Sequence, residues 1–239
     1  MGYQANFKRY EIKFLLDPAQ TERLLQVMEP YMALDRYGRT TICNIYYDTE
    51  NYRLARRSVE KPVYKEKLRV RSYGKTEPGS PVFVELKKKY NGIVYKRRVS
   101  IPERDAVAWL AGGAYAHKQN QISREIDWFL QYYQTLRPVA YLSYERRAYF
   151  SRDGGDFRIT LDENILCRRQ ALSLCEESCG QLVLPRDKVL MEVKTPGSIP
   201  LWLTEFLSRE KIYKTSFSKY GTAYQTMILP NFKGECIYA

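Results

Sequence analysis

Charged residues recur at alternate positions along several segments of this chain. Arg9, Glu11 and Lys13 form one series, and Lys65, Lys67, Arg69 and Arg71 another. Glu85, Lys87 and Lys89, then Lys96 and Arg98, and later Glu192 and Lys194 repeat the pattern. Residues two apart share one face of an extended strand, so each series lines a single face. By the same rule Arg146 lies with Tyr144 and Ala148, and Arg158 with Asp162. The chemistry these side chains suit is phosphate binding. Guanidinium forks take phosphate oxygens bidentately, and lysines add mobile point charges. The acids suggest a second task, because Glu11, Glu85 and Glu192 offer the oxygen ligands that Mg²⁺ or Mn²⁺ prefer when bridging to phosphate. Ion pairing is the plainer reading of each: Glu11 has Lys13 and Arg9 for neighbours, and Glu192 has Lys194. Near the end of the chain stands Ser216-Phe217-Ser218-Lys219-Tyr220-Gly221. Ser218 can cap a following helix, and a lysine beside a helix N-terminus makes an anion site. A capped surface helix with a solvated lysine is the alternative.

These side chains need strands to hold them. Eight segments rich in Val, Ile, Tyr, Phe and Thr read as strands: Arg9 to Leu16, Thr41 to Asp48, Lys65 to Tyr73, Val82 to Tyr90, Ile93 to Ile101, Val139 to Phe150, Asp156 to Asp162 and Val189 to Thr195. Asn91-Gly92 predicts a two-residue hairpin and Gly154-Gly155, after Asp153, a second turn. Helices are expected from Asp17-Pro18 onward, over Pro102 to Leu110 before Gly112-Gly113, through Ile122 to Tyr133, over Ile199 to Phe206, and over Tyr220 to Ile228. The uncharged faces carry Leu68 and Val70, Val84 and Leu86, or Ile159 and Leu161. One arrangement turns the charged faces to water. The other closes the sheet into a barrel, charge inside, with the apolar faces packed outward against helices. Rows of mostly positive charge on so many strands would repel one another on an open sheet. The expectation is therefore an α+β, mainly antiparallel fold: a closed eight-stranded tunnel barrel with helices packed outside, in a single domain over residues 1–239. Such a lumen needs a polyanion to compensate its charge.

The bulk composition agrees. Lys and Arg number 39 against 27 Asp and Glu, a net charge of +12, which calls for a polyanionic partner. The five cysteines (Cys43, Cys167, Cys175, Cys179 and Cys236) form no disulfide framework, and with His117 as the one histidine they supply no tetrahedral zinc set. No Gly-Lys phosphate loop, dinucleotide fingerprint or Ser-His pair is present, and His117 reads as a surface residue. No segment has the roughly 20 apolar residues that cross a bilayer. The expectation is a cytoplasmic protein, with a basic face able to meet the inner side of a membrane.

Taken in order, Arg9-Tyr10-Glu11-Ile12-Lys13-Phe14, Tyr46-Tyr47-Asp48-Thr49, Lys65-Glu66-Lys67-Leu68-Arg69-Val70-Arg71-Ser72-Tyr73-Gly74, Val84-Glu85-Leu86-Lys87, Met191-Glu192-Val193-Lys194 and Ser218-Lys219-Tyr220 resemble the vacuolar transporter chaperone (VTC) domain. This is the polyphosphate polymerase branch of the triphosphate tunnel metalloenzymes, in the CYTH-like superfamily. The resemblance implies an antiparallel tunnel that binds a nucleoside triphosphate with Mn²⁺ or Mg²⁺. It implies that Arg69, Arg71, Lys87, Lys96 and Arg146 act on the reacting phosphates. It implies that Arg158 and Lys219 also contact phosphates, and Glu192 matches the family's metal-binding glutamate; the strand faces and the helix cap add Arg9, Lys13, Lys65, Lys67, Arg98, Lys194 and Ser218 as holders of the rest of the anion, and Glu11 and Glu85 as further metal ligands. Arg9 stands where tunnel enzymes more generally carry the first acid of Glu-x-Glu-x-Lys. Ser216 stands where eukaryotic relatives carry a basic residue, with Lys214 nearby. The implied activity is ATP-dependent polyphosphate synthesis by a bacterial stand-alone catalytic module, without the regulatory and membrane domains of eukaryotic forms. Its partners would be ATP, inorganic phosphate or polyphosphate and a membrane protein, with no specific nucleic acid. Hydrolysis of tripolyphosphate or a nucleoside triphosphate in the same tunnel is the alternative, and polyphosphate binding without turnover another.

Overall fold

The structure is a computed structural model, and it describes residues 10–231. The strand β1 (Tyr10–Leu16) leads into helix α1 (Pro18–Met28), followed by β2 (Met32–Asp48), α2 (Arg53–Glu60), β3 (Tyr64–Tyr73), β4 (Pro81–Tyr90) and β5 (Ile93–Pro102). Helices α3 (Glu103–Leu110) and α4 (Gln121–Tyr133) precede β6 (Arg137–Ser151), β7 (Arg158–Arg168), the short β8 (Gln181–Leu182) and β9 (Val189–Thr195). The chain ends in α5 (Leu201–Arg209), the short β10 (Lys214–Thr215), α6 (Lys219–Ala223) and a π-helical turn over Tyr224–Ile228. All pairings are antiparallel, in the order β10-β1-β9-β7-β6-β2-β3-β4-β5, with β8 against β7. The eight long strands are the eight expected from sequence, although β2 starts earlier, at Met32, and β7 runs on to Arg168.

Local chemistry explains most boundaries. Asp17 caps α1 by accepting from the Gln20 amide at 2.7 Å, while Gln20 returns a bond to the Asp17 amide, and Pro18 occupies the first turn. Asn91 and Gly92 both have positive φ, 45° and 83°, as the tight hairpin between β4 and β5 demands. The helix α2 has no cap of this local kind. It follows Tyr52, which is in the left-handed region, and its first amides are taken by Asp48 at the end of β2: Leu54 N at 2.9 Å and Ala55 N at 2.8 Å.

The sheet curls into a tunnel barrel. Its outer face is apolar. Leu68, Val70, Val84 and Leu86 pack under Trp109 of α3 and Ile126 and Phe129 of α4. Ile159, Leu161, Met191 and Val193 pack under Leu24 and Met28 of α1 and Leu203 and Phe206 of α5. The sheet has turned so far that Glu11 of β1 meets Lys87 of β4 across the interior, at 3.1 Å. The interior is not uniform. Ile42, Tyr46, Leu142, Tyr144 and Leu190, which share the inward face, join Tyr52 and Ala55 next to and within α2, and Tyr220, Ala223, Tyr224 and Ile228, in one buried cluster. One part of the barrel interior is thus an apolar plug, and the charged rows fill the remainder. Among the described residues, no helix is long and apolar enough to cross a membrane.

Candidate functional site

Register brings the charged rows together. Lys13 of β1 lies opposite Glu192 of β9, which lies opposite Thr160 of β7; Asp162 of β7 lies opposite Arg146 of β6. On the facing wall Lys67 of β3 pairs with Lys87 of β4, which pairs with Lys96 of β5, and Arg69 pairs with Glu85. The resulting lining has two anchors and an unbalanced sector between them.

The first anchor is Glu85, 1 % exposed. Arg69 reaches it at 2.7 Å, Lys96 at 2.5 Å and Arg71 at 3.7 Å. Burial alone would push its carboxyl up, but the three cations hold it far below the usual carboxylate range. The sequence offered Glu85 as a metal ligand. With its oxygens occupied in this way, it fits the role of an ion-pair hub that aims Arg69 and Arg71 instead. Arg69 also donates to the Tyr46 hydroxyl at 3.0 Å, and Arg71 to Asn44 Oδ1 at 3.1 Å and the Tyr144 hydroxyl at 3.2 Å. Burial lowers the Lys96 ammonium to about 8, against the pull of Glu85.

The second anchor is Asp162, which Arg146 grips with two bonds of 2.6 and 2.7 Å. Lys219 lies 2.5 Å from Asp162 and 3.0 Å from Glu192. The solvated surface lysine considered for Lys219 is therefore replaced by a buried one. Burial opposes its charge, but Asp162 and Glu192 raise it above the ordinary lysine value. Ser218 caps α6 by accepting from Gly221 N at 3.1 Å, and its hydroxyl also accepts from Lys67 at 2.9 Å. Asp162, Asn44, Tyr46 and Tyr144 were not among the residues expected to build the site. Their positions on inward faces were readable, but their partners were not.

Glu192 and Glu11 face the same ammonium, Lys13 Nζ, each at 3.3 Å. Burial raises both carboxyls, yet the surrounding lysines, with Arg146 beside Glu192, hold them well below the normal range. Both oxygen donors are therefore charged. No group of three or more His, Cys, Asp or Glu able to hold a metal occurs among the described residues. Two carboxylates are the donor set expected for Mg²⁺ or Mn²⁺ when phosphates and water complete the shell. Glu11 and Glu192 fit that pattern.

The unbalanced sector contains Lys65, Lys67, Lys87 and Lys194. Lys67 has the Ser218 hydroxyl at 2.9 Å and the Tyr220 ring at 6.0 Å as partners, and no carboxylate among the described residues. Burial, then Lys13, Lys87, Lys65 and Arg69, drive it well below the ordinary lysine value. Lys65 donates to the Ser58 carbonyl at 3.3 Å, and burial with its lysine neighbours lowers it. Burial likewise lowers Lys194, 3.5 Å from Glu192. The Thr160 hydroxyl, buried opposite Glu192, has no hydrogen-bond partner among the described residues.

Two expected residues stand at the rim. Arg158 is exposed, 3.9 Å from Asp156, and Arg98 lies over the Phe83 ring at 4.8 Å. Arg9 lies outside the described residues. Lys214 is paired with Phe14, whose side chain packs in the outer core, so Lys214 is on the outward face and does not replace a base at Ser216. His117 is at the surface, 3.0 Å from Asp105.

Comparison with known proteins agrees with this geometry. The structure is similar to that of a candidate adenylate cyclase from Bacillus halodurans, with a TM-score of 0.56 at 13 % identity, covering 92 % of this chain and all of the other. It is also similar to a candidate adenylyl cyclase from Hippeastrum described as having a dominant triphosphatase activity, with a TM-score of 0.50 at 14 % identity, covering 91 % and 95 %. At such identities the likeness is one of fold alone. No curated protein matches the sequence. The family model of the VTC domain matches residues 8–228, nearly the whole chain, and the chain therefore belongs to the VTC domain family.

Proposed function

We propose that the protein is an ATP-dependent polyphosphate polymerase. The observation that carries this reading is Lys67: an enclosed ammonium ringed by other cations, with no carboxylate partner among the described residues. Uncompensated charge of this kind is costly, and a phosphate chain lying between Lys67, Lys87, Lys96 and Arg69 removes the cost. Family membership supports a triphosphate substrate, as does the triphosphatase activity described for the Hippeastrum protein.

In this reading Arg69 and Arg71, aimed by Glu85, Asn44 and Tyr144, take non-bridging phosphate oxygens. Arg146 and Lys219, held by Asp162, face the same space from the opposite wall. Lys13, Lys65 and Lys194 extend the track, and Lys87 and Lys96 neutralise charge as it develops. Glu192 and Glu11 would hold Mg²⁺ or Mn²⁺, which supplies charge neutralisation at the phosphates. An oxygen of inorganic phosphate or of a chain end attacks the γ-phosphorus in line. The bond from that phosphorus to the bridging β-oxygen breaks, giving ADP and a chain longer by one phosphate. Positioning and electrostatics supply most of the rate enhancement in such transfers. The plug of α6 and the π-helical turn occupies part of the interior, so substrate and product would share the open mouth.

The rival is hydrolysis, with water as the attacking oxygen. It is favoured by the described activity of the Hippeastrum protein and by the open rim. Incubation with ATP and Mn²⁺, followed by gel analysis and phosphate release, separates the two. Long chains support the polymerase; free phosphate alone supports the hydrolase; neither product leaves a polyphosphate-binding module.

A further inference from the structure

The inward row of β3 does not end at its arginines. Beyond Arg69 and Arg71 the next residue on the same face is Tyr73, which is 56 % exposed. On β4, Phe83 pairs with Arg71 and follows Glu85 on the inward face. The two rings meet edge to face, with centroids 5.8 Å apart and planes at 85°. Arg98 of β5, on the inward face beside Glu85, lies over the other ring at 4.8 Å. The charged track thus leads to an exposed tyrosine ring held edge to face by Phe83, whose own ring Arg98 covers.

An exposed ring fixed at the end of a phosphate-binding row has a specific use. We propose that Tyr73, held edge to face by Phe83, is a stacking platform for the base of a nucleoside triphosphate. The assignment rests on the triphosphate reading above and deepens it by naming the residue that takes the base of ATP. The distance suits it. Four residues of strand from Arg69 to Tyr73 span roughly 13 Å, comparable to the reach of an extended nucleoside triphosphate from terminal phosphate to base. Aromatic rings accept any base by its π-face, and the platform discriminates nucleotide from inorganic chain more than one base from another. Bracing matters because a ring already held in place loses little freedom on binding. Phe150 on the other wall, beside Arg158, is also exposed, but no ring contact holds it among the described residues.

The test compares two ligands on one protein. Binding of ATP and of inorganic tripolyphosphate is measured calorimetrically without divalent metal, so that turnover does not intervene, on wild type, Tyr73→Ala and Tyr73→Phe. The expected result is about a tenfold or greater loss of ATP affinity in Tyr73→Ala, tripolyphosphate affinity within about twofold, and near-normal ATP binding in Tyr73→Phe. Unchanged ATP binding in Tyr73→Ala overturns the platform, as does equal weakening of both ligands, which would mark Tyr73 as a wall residue. A wild type that binds tripolyphosphate but not ATP also overturns it while leaving the tunnel reading intact. A wild type that binds neither removes both.

Discussion

The barrel interior holds two regions built by the same strands. On β2, Ile42 and Tyr46 belong to the apolar plug while Asn44 between them, on the same face, serves Arg71. On β9, Leu190 lies in the plug and Glu192, two residues on, in the charged sector. On β6 the sequence runs from Leu142 through Tyr144 to Arg146 along one face, from plug to charge. The plug follows ordinary core rules: Tyr220 stacks on Tyr46 at 4.5 Å, and its hydroxyl donates to Asp48 at 2.7 Å. The charged sector violates those rules, because Lys67 is enclosed among other cations with no carboxylate partner among the described residues. One region is complete in the empty protein, and in the proposed function the other is completed by a ligand. That difference separates the residues that hold the barrel together from those that act.

The largest effect should come from the plug. Tyr220→Ala removes a fully buried ring and leaves an Asp48 oxygen short of a partner, for a loss of about 3–5 kcal/mol in chemical denaturation. Since Asp48 also caps α2, the loss should exceed that of Tyr220→Phe, which removes the hydroxyl alone. In the charged sector Glu192→Gln should lower turnover by roughly 10²–10³-fold and affect triphosphate binding less. Unchanged turnover would take Glu192 out of the metal role. Arg69→Ala, by contrast, should weaken both binding and turnover, with affinity down roughly 10- to 100-fold, because it removes a phosphate contact and one of the cations on Glu85.

Lys67→Met provides the sharpest contrast with Tyr220→Ala. It should weaken triphosphate binding by about tenfold yet leave the empty protein as stable or more stable, since an uncompensated charge is lost. Destabilisation would mean that Lys67 has a structural partner and that the sector is complete without ligand. The smallest effect is in pH. Lys96, lowered to about 8, is charged below that value and neutral above it. Triphosphate affinity should therefore fall as pH rises through about 8, and binding above pH 8 should take up a proton. For the empty protein the sign is opposite: charging Lys96 in place is penalised below about 8, and that penalty is relieved as pH rises. Calorimetry in buffers of different ionisation enthalpy reads the proton uptake, and Lys96→Arg should reduce it near pH 8 by the share that Lys96 contributes.

Strand alternation made the eight long strands and their inward rows legible, since a period of two needs no tertiary information. Helix α2 was not legible. Its arginine-rich sequence carries no adjacent cap, because the cap is Asp48, in the preceding strand. The early part of β2 went unassigned for a related reason: Asp35, Arg36, Tyr37 and Gly38 lack the run of β-branched and aromatic residues that marks a strand, and the strand continues by pairing with β6 across an irregular register. The roles of the acids also lay beyond the sequence. Glu85, Asp162 and Glu192 sit in similar apolar-flanked strands. Only the packing shows that Arg69, Arg71 and Lys96 occupy the first, that Arg146 and Lys219 occupy the second, and that the third shares Lys13 with Glu11.

Alternation along the chain established which side chains share a face, and composition that their charge is mostly positive, because both are local and additive. Only packing turned those faces inward and settled which positions form an apolar plug, which carboxylates are spent on arginines, and which lysine has no carboxylate partner among the described residues. Those outcomes depend on which strand becomes whose neighbour and on where the last helix comes to rest, and the pairings join residues more than a hundred positions apart, such as Lys67 with Ser218 and Asp48 with Tyr220.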